Sequence, residues 1–127
     1  MQHTVFLFGE AERGEFCTPF ICRSLPQLAD TFGNPPAESL GLMYAVQALL
    51  FKRELIFFRV KEEGFSLADY KRGIRLLENK ELFQHLTAIC MPGVGDAEII
   101  GDISSVCNLH RSVLITTERD FYDFMTI

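Results

Sequence analysis

The chain reads Thr4-Val5-Phe6-Leu7-Phe8-Gly9-Glu10-Ala11-Glu12-Arg13-Gly14 near its start, an apolar run followed at once by a glycine-bounded turn. A short continuous apolar run that ends in such a turn is typical of a strand buried within a sheet. We therefore predict a buried strand over Thr4–Phe8 and a turn over residues 9–14.

Outward from this strand, apolar runs bounded by Gly, Pro and polar clusters alternate with segments of helical period. The predicted further strands are Pro19–Cys22, Leu55–Lys61, Leu86–Met91 and Val113–Thr116. The predicted helices are one capped by Ser24 and ended by Gly33, one over Ala37–Lys52, one opened by Ser66 and Asp69 as a shortened capping box, one capped by Asp96, and one over Arg119–Met125. Short connections in this alternation predict one α/β domain over residues 1–127. It should have a mainly parallel sheet of about five strands, flanked by helices on both faces.

The predicted helix over Ala37–Lys52 is apolar almost all round, which indicates a largely buried helix. Gly41, Ala45 and Ala48 lie along one stripe of it. Small side chains there should let this helix sit close to its neighbour.

Composition excludes several classes of function. The 127 residues are 48% hydrophobic and 23% charged, and the formal net charge of −5 argues against a nucleic-acid partner. No segment approaches the ~20 apolar residues that span a bilayer. No basic stretch precedes the short apolar run near the N-terminus, so a signal peptide is not expected. We therefore expect a cytoplasmic protein without a membrane partner.

The residues that most often carry catalysis are scattered. Cysteines at positions 17, 22, 90 and 107 match neither a zinc pattern nor a disulfide framework, and are expected to be reduced and packed. His3, His85 and His110 lie in separate segments without a carboxylate or thiol at ligand spacing. We therefore predict no catalytic residue, no metal site and no cofactor.

The segment Pro92-Gly93-Val94-Gly95-Asp96 is the best candidate for a ligand site. It follows a strand and opens a helix, where dinucleotide folds place a glycine-rich turn against a pyrophosphate. Glu118, after the next strand, stands where such folds hold a ribose. Against this, Glu98 replaces the third glycine, and Asp96 and Glu98 would repel phosphate.

Two functions therefore stay open on this evidence. A small α/β ligand- or nucleotide-binding domain, which could be an enzyme, would use the turns at 9–14 and 93–96, with Gly93, Gly95, Asp96 and Glu118 at the cofactor. These turns could share one edge of a parallel sheet. A protein-interaction domain would instead use surface aromatics, and Phe121, Tyr122 and Phe124 crowd the C-terminal helix. These three are interface candidates, unless the helix closes the edge of its own sheet.

A series of short sequence motifs, each present once, follows a fixed order along nearly the whole chain. It runs Val5–Gly14, Thr18-Pro19-Phe20-Ile21, Phe32-Gly33, Tyr44-Ala45-Val46, Phe58-Arg59-Val60, Tyr70, Gly73-Ile74, Leu77-Glu78, Pro92-Gly93-Val94 and Val113-Leu114-Ile115. In this order the motifs resemble the N-terminal, core portion of contractile phage tail sheath proteins.

This resemblance implies a structural assembly subunit and not an enzyme. In that family the region forms part of the tube wall, and extended terminal arms join subunits by adding strands to each other's sheets. Here the first strand begins almost at Met1 and the chain stops at Ile127, so we expect the arms and the C-terminal domain to be absent. The resemblance then implies a minimal sheath-like module that forms a homo-oligomer or binds another protein, including other phage tail-like components, in the cytoplasm or within a phage-like particle.

Overall fold

A five-stranded sheet runs through the centre of the structure, a computed structural model that describes residues 3–126. Along the chain its elements are β1 (Thr4–Gly9), β2 (Pro19–Cys22), α1 (Leu25–Phe32), α2 (Gly41–Leu50), β3 (Glu54–Arg59), α3 (Leu67–Leu77), β4 (Leu86–Cys90), α4 (Ala97–His110), β5 (Val113–Ile115) and α5 (Glu118–Met125). The five predicted strands are all confirmed, with ends that differ by at most two residues.

The strand order is β2-β3-β1-β4-β5. Strands β3, β1, β4 and β5 are parallel to one another. Helices supply the crossovers that parallel strands need: α1 and α2 before β3, α3 before β4 and α4 before β5. Strand β2 runs antiparallel to β3, with Phe20 opposite Phe57. The predicted mainly parallel α/β sheet is therefore confirmed, with one antiparallel strand at its edge.

Helices cover both faces of the sheet, as predicted. Side chains of β1 alternate between the faces: Val5 and Leu7 join the core beneath α1, α2 and α5, whereas Phe6 and Phe8 join the core beneath α3 and α4. All four are fully buried. The continuous apolar run is explained by this position, since a central parallel strand has no solvent face.

The core beneath α3 is built from stacked aromatic rings. The ring of Phe8 lies 5.0 Å from that of Phe58, 5.1 Å from that of Phe6 and 5.3 Å from that of Tyr70. Gly73 lies directly over this cluster, where a Cβ would be 2.7 Å from Cζ of Phe8 and closer still to its Cε2. The absence of a side chain at Gly73 is therefore what lets α3 approach the sheet.

Most predicted helix boundaries are confirmed by their caps. Ser24 accepts from the Gln27 amide at 3.2 Å, and Asp96 accepts from the Ile99 amide at 3.1 Å. The predicted capping box before α3 is wrong, because neither of its side chains caps that helix. The Ser66 hydroxyl donates to the Glu62 carbonyl, and Asp69 accepts from the Lys61 amide. Both side chains instead hold the preceding turn in place.

The second helix is shorter and less buried than predicted. It spans Gly41–Leu50, because the segment after Asn34-Pro35-Pro36 is irregular up to Leu40. Met43 and Leu50 are more than half exposed, so its expected burial is wrong for them: the helix lies on the outer layer and only one side meets the sheet. None of the helices within residues 3–126 is long and apolar enough to cross a membrane.

Candidate functional site

The parallel strands all end on one side of the molecule, which we call the upper end; the opposite side is the lower end. At the upper end the chain leaves β1 toward β3 and leaves β4 toward β5, in opposite directions along the sheet. Open α/β sheets bind ligands in the crevice at such a switch point. The turns at 9–14 and 93–96 follow β1 and β4, so the structure places both predicted turns at this crevice.

The crevice is filled by the chain itself. The carboxylate of Glu63, in the turn after β3, accepts from the backbone amides of Leu40 at 2.6 Å, Gly41 at 2.9 Å and Glu10 at 3.1 Å. In return the Glu63 amide donates to the Glu10 carboxylate at 2.9 Å. A helix N-terminus attracts anions through its free amides and dipole. At α2 that position is taken by a carboxylate of the protein.

Two glycines make this arrangement possible. A Cβ on Gly41 would lie 2.7 Å from the Cα of Gly9 and 2.7 Å from Oε1 of Glu63. Helix α2 therefore begins in direct backbone contact with the end of β1. The small-residue stripe predicted from the sequence is confirmed here, at its first member.

The turn after β3 also packs on the turn after β4. The Gly64 amide donates to the Tyr70 hydroxyl at 2.6 Å, and a Cβ on Gly64 would lie 2.7 Å from the Gly93 carbonyl oxygen. Burial raises the pKa of the Tyr70 hydroxyl, so it stays protonated at neutral pH. Gly64 has a φ of +88°, which favours glycine. The turn is thus held on both sides.

The residues proposed for a nucleotide lie on two neighbouring strand ends. Gly93, Gly95 and Asp96 form the turn after β4, and the Gly93 amide donates to the Thr116 carbonyl at 3.4 Å, beside the end of β5. Glu118 begins α5 two residues later and is exposed. The Asp96 carboxylate occupies the Ile99 amide that a phosphate would need.

This end keeps one cavity of about 340 Å³ beside Gly14 and Phe32, and a second, shallow one of about 360 Å³. The second cavity is lined by residues of the turns after β3 and β4, namely Gly64, Phe65, Leu67, Gly93, Gly95 and Asp96. Its only charged side chain is the Asp96 carboxylate, so the cavity offers no cation to a phosphate.

The three aromatic interface candidates have different surroundings. Phe121 is fully buried and stacks on Tyr44, with ring centroids 4.4 Å apart and planes at 11°. Its selection as an interface residue is therefore corrected: it closes the core beneath α5. Phe124 packs against that core, with the Arg53 guanidinium 5.9 Å from its ring centroid. Tyr122 is 43% exposed and stays available to a partner.

The remaining reactive groups are the cysteine thiols and His110, and the partly buried free thiol of Cys17 lies near the Asp69 carboxylate and the Arg72 guanidinium. Within residues 3–126, no group of three or more His, Cys, Asp or Glu is placed to hold a metal ion. Cys22, Cys90 and Cys107 are buried free thiols, as the sequence predicts, and burial raises the pKa of the Cys107 thiol to about 11. His110 contacts the Leu77 carbonyl oxygen through Nε2 at 2.6 Å. These groups serve packing and helix ends.

Glu63 is the residue that the sequence analysis missed. Its three amide partners lie 22, 23 and 53 positions away, so no local capping pattern reveals them. The only signal is its position just after a strand, in Glu62-Glu63-Gly64, at the end of the sheet where helices begin.

Comparisons with protein-family models, with curated proteins and with solved structures find nothing that matches the chain. The resemblance to sheath proteins therefore stays a prediction. The function has to be argued from the geometry of the described residues.

Replacing Glu63 by glutamine is expected to lower the free energy of unfolding by about 1–3 kcal/mol. Both carboxylate oxygens of Glu63 accept from backbone N–H groups. In glutamine one of these oxygens becomes an NH₂ group, which cannot accept, so at least one backbone N–H loses its partner. Glu62→Gln is the matched control, because that neighbouring side chain is exposed. Urea unfolding of both variants at pH 7 measures the difference, and equal stabilities would contradict the capping role.

The pH dependence of the stability of wild type and of Glu63→Gln tests whether burial or hydrogen bonding has the larger effect on the Glu63 carboxyl. Burial is the largest influence on this carboxyl and raises its pKa above the ordinary 4.5. The unfolded chain then ionises first, so the contribution of Glu63 to stability is greatest below pH 4.5 and falls as the pH rises toward its folded pKa. The stability difference between wild type and Glu63→Gln should therefore shrink from pH 4.5 to pH 7. A difference that grows would show that the three amides outweigh burial.

Proposed function

We propose that this chain is a non-enzymatic assembly module, similar to the core of a sheath subunit. It acts by associating with itself or with another protein, such as a phage tail-like component, in the cytoplasm or within a phage-like particle. The observation that carries the proposal is the apolar, open edge of the sheet at β2.

Strand β2 pairs with β3 on one side only, and within residues 3–126 no strand pairs with its other side. Ile21, in the middle of this strand, is 57% exposed, although it lies directly opposite Ile56 in the register. An edge strand presents unpaired backbone groups to any extended segment that approaches it. Proteins usually protect such an edge with charge, proline or a very short strand. Strand β2 has Pro19 at its start and only four residues, yet it leaves the apolar side chain of Ile21 exposed.

The upper end of the sheet gives further support. The position at which a doubly wound sheet would receive a ligand is taken by Glu63 and Gly64, which are bonded to Glu10, α2 and Tyr70. Binding there would require displacing at least four hydrogen bonds. The filled crevice therefore favours contact with another protein at this end over binding of a small molecule.

The alternative function is a small α/β ligand- or nucleotide-binding domain. The shallow cavity beside Gly93, Gly95 and Asp96 favours it, while the position of the Asp96 carboxylate disfavours a phosphate. Thermal unfolding with and without a millimolar nucleoside triphosphate tests this function. A rise in Tm that Asp96→Ala increases would support it.

The solution mass of the purified chain, measured by light scattering over a range of concentrations, tests the assembly proposal. We expect a mass that corresponds to a defined oligomer. Electron microscopy of any large fraction should show rings or tubes. Ile21→Lys should lower the mass, because it places a charge on the open edge. Met43→Lys is the matched control, since Met43 is 54% exposed on α2, away from this edge. A monomer at every concentration would sink self-association and leave a partner or ligand to be sought.

A further inference from the structure

We propose that the chain associates head to tail: Phe65 at the upper end of one copy enters an apolar groove at the lower end of a second copy. The inference rests on the proposed assembly function and identifies its interface. Three observations carry it: an exposed phenylalanine on a fixed turn, a groove of suitable size and lining, and a negatively charged upper end that complements the cations on the rim of that groove.

Phe65 is the most exposed large apolar side chain among residues 3–126, with 75% of its surface accessible. The turn that carries it is fixed: the Phe65 amide donates to the Glu62 carbonyl at 3.0 Å, and Gly64 is bound to Tyr70 and packed on Gly93. A side chain on a fixed turn costs little backbone freedom on binding, so it contributes more to affinity than one on a mobile loop.

The groove lies at the lower end, beside the β2 edge, and encloses about 520 Å³. This volume falls within the range of pockets that bind small ligands, about 300–1,000 Å³. Ile21, Leu82 and Phe83 form its apolar wall, and Ile21 and Leu82 are each more than half exposed. Arg23 and Lys52 are exposed cations on its rim, Arg53 is a half-buried one, and Glu54 is an exposed carboxylate there, so the rim carries a net positive charge. An aromatic side chain flanked by carboxylates would suit this lining.

The two ends of the molecule differ in charge. The upper-end segments hold ten acidic and four basic residues; they are 10–16, 33–40, 59–66, 91–98 and 116–120. The lower-end segments hold three acidic and five basic residues; they are 23–24, 51–54, 78–86 and 110–113. Four of the five helices begin at the upper end, and each adds about half a positive charge there. That total of about two leaves the upper end with an excess of about four negative charges. The same four helices end at the lower end and add about two negative charges there, which offset its excess of two basic residues. The lower end is therefore close to neutral as a whole, and its cations act locally, on the rim of the groove.

The difference in charge between the upper end and the groove rim decides the geometry of association. Two upper ends would repel each other, whereas an upper end attracts the basic rim of a lower groove. Glu62 lies in the same turn as Phe65, and Asp96 lines the same cavity as Phe65. In the proposed contact these two carboxylates would face Arg23 and Lys52. The contact therefore joins two different surfaces. Such a contact extends into a ring or an open chain, because each copy keeps one free surface of each kind.

Two variants, each removing one surface, test this interface. Phe65→Ser removes the inserted side chain, and Leu82→Glu places a negative charge in the groove; both positions are exposed, so the fold should be kept. We expect each variant to raise the concentration at half-assembly about tenfold or more, as loss of a central apolar anchor does. Met43→Gln is the control, because Met43 is exposed on α2 and does not line the groove, and it should assemble like wild type.

The 1:1 mixture of the two variants is the decisive measurement. Phe65→Ser keeps an intact groove and Leu82→Glu keeps Phe65, so one productive contact is possible and the mixture should form a dimer and nothing larger. Raising the salt concentration from 50 mM to 500 mM should weaken this dimer.

The outcomes separate the two proposals. If wild type assembles and the two variants assemble equally well, the head-to-tail interface is overturned and the assembly function stands. The same holds if wild type assembles but the 1:1 mixture of the variants stays monomeric. If binding of a different protein is abolished by Leu82→Glu while wild type stays monomeric, the groove belongs to that protein and the head-to-tail interface is overturned. A wild-type monomer with no such partner overturns both.

Discussion

Replacing Phe8 by alanine is expected to lower the free energy of unfolding by about 3–5 kcal/mol, the range for a large aromatic lost from a packed core. Phe8 is fully buried on the central strand, and its ring lies 5.0–5.3 Å from the rings of Phe6, Phe58 and Tyr70. Removing the ring leaves a cavity between the sheet and α3. Because β1 is hydrogen-bonded to β3 on one side and β4 on the other, it cannot shift to fill this cavity.

Phe65→Ala is the matched control for this prediction. The same atoms are removed from a side chain that is 75% exposed, so the change should stay within about 0.5 kcal/mol. Urea unfolding of both variants, at a concentration where the chain is monomeric, measures the two effects. A small effect at Phe8 would mean that the aromatic cluster contributes little to the core.

The second large effect is expected at Gly73, in the middle of α3. Alanine normally stabilises a helix relative to glycine by about 1 kcal/mol. At Gly73 the added Cβ would lie 2.7 Å from Cζ of Phe8 and 3.2 Å from Cε1 of Phe58. Both rings are fully buried and packed on further rings, so they have no room to move. We expect Gly73→Ala to destabilise by about 1–3 kcal/mol, as overpacking does.

Gly101→Ala supplies the control with the opposite sign. Gly101 lies within α4, and a Cβ there would meet nothing within 4 Å. The ordinary helix preference then applies, and a gain of about 0.5–1 kcal/mol is expected. Thermal unfolding of the two variants compares them directly. A stabilising Gly73→Ala would show that α3 stands farther from the sheet than the structure places it.

The upper end combines a fold that commonly binds ligands with a crevice that is closed. The amides of Leu40 and Gly41 and the end of β1 together form the kind of site at which an anion binds in related topologies. Here Glu63 supplies the anion, and the same turn presents Phe65 to solvent. The turn therefore both closes the ligand position and supplies the side chain proposed for association.

Local patterns predicted a large part of this architecture. Apolar runs at Thr4–Phe8 and Leu86–Met91 indicated buried strands, and Ser24 and Asp96 indicated helix starts, because those signals depend only on neighbouring residues. The prediction of a capping box at Ser66 and Asp69 was wrong because a local pattern does not determine which nearby backbone groups a side chain will bond. The same side chains could bond the turn before the helix, and in the folded chain they do.

The candidate site was predicted in position but not in content. The sequence indicated that the turns at 9–14 and 93–96 could share one edge of a parallel sheet, and the structure places both at the end where the parallel strands finish. The burial of Phe121 was not resolved from the sequence, because a helix rich in aromatics suits either a core or an interface. Its stacking on Tyr44 depends on where α5 lies relative to α2, which local spacing does not determine.

The sequence by itself determined the α/β class, the order of strands and helices, and most of their caps, because hydrophobic periodicity and capping act over a few residues. Only the tertiary structure decided that β2 runs antiparallel at an open edge, that Glu63 fills the switch-point crevice, and that the two ends differ in charge. Each of these depends on contacts between residues far apart in the chain. Glu63 and Glu10 are 53 positions apart, and their hydrogen bonds form only when β1 and β3 lie side by side.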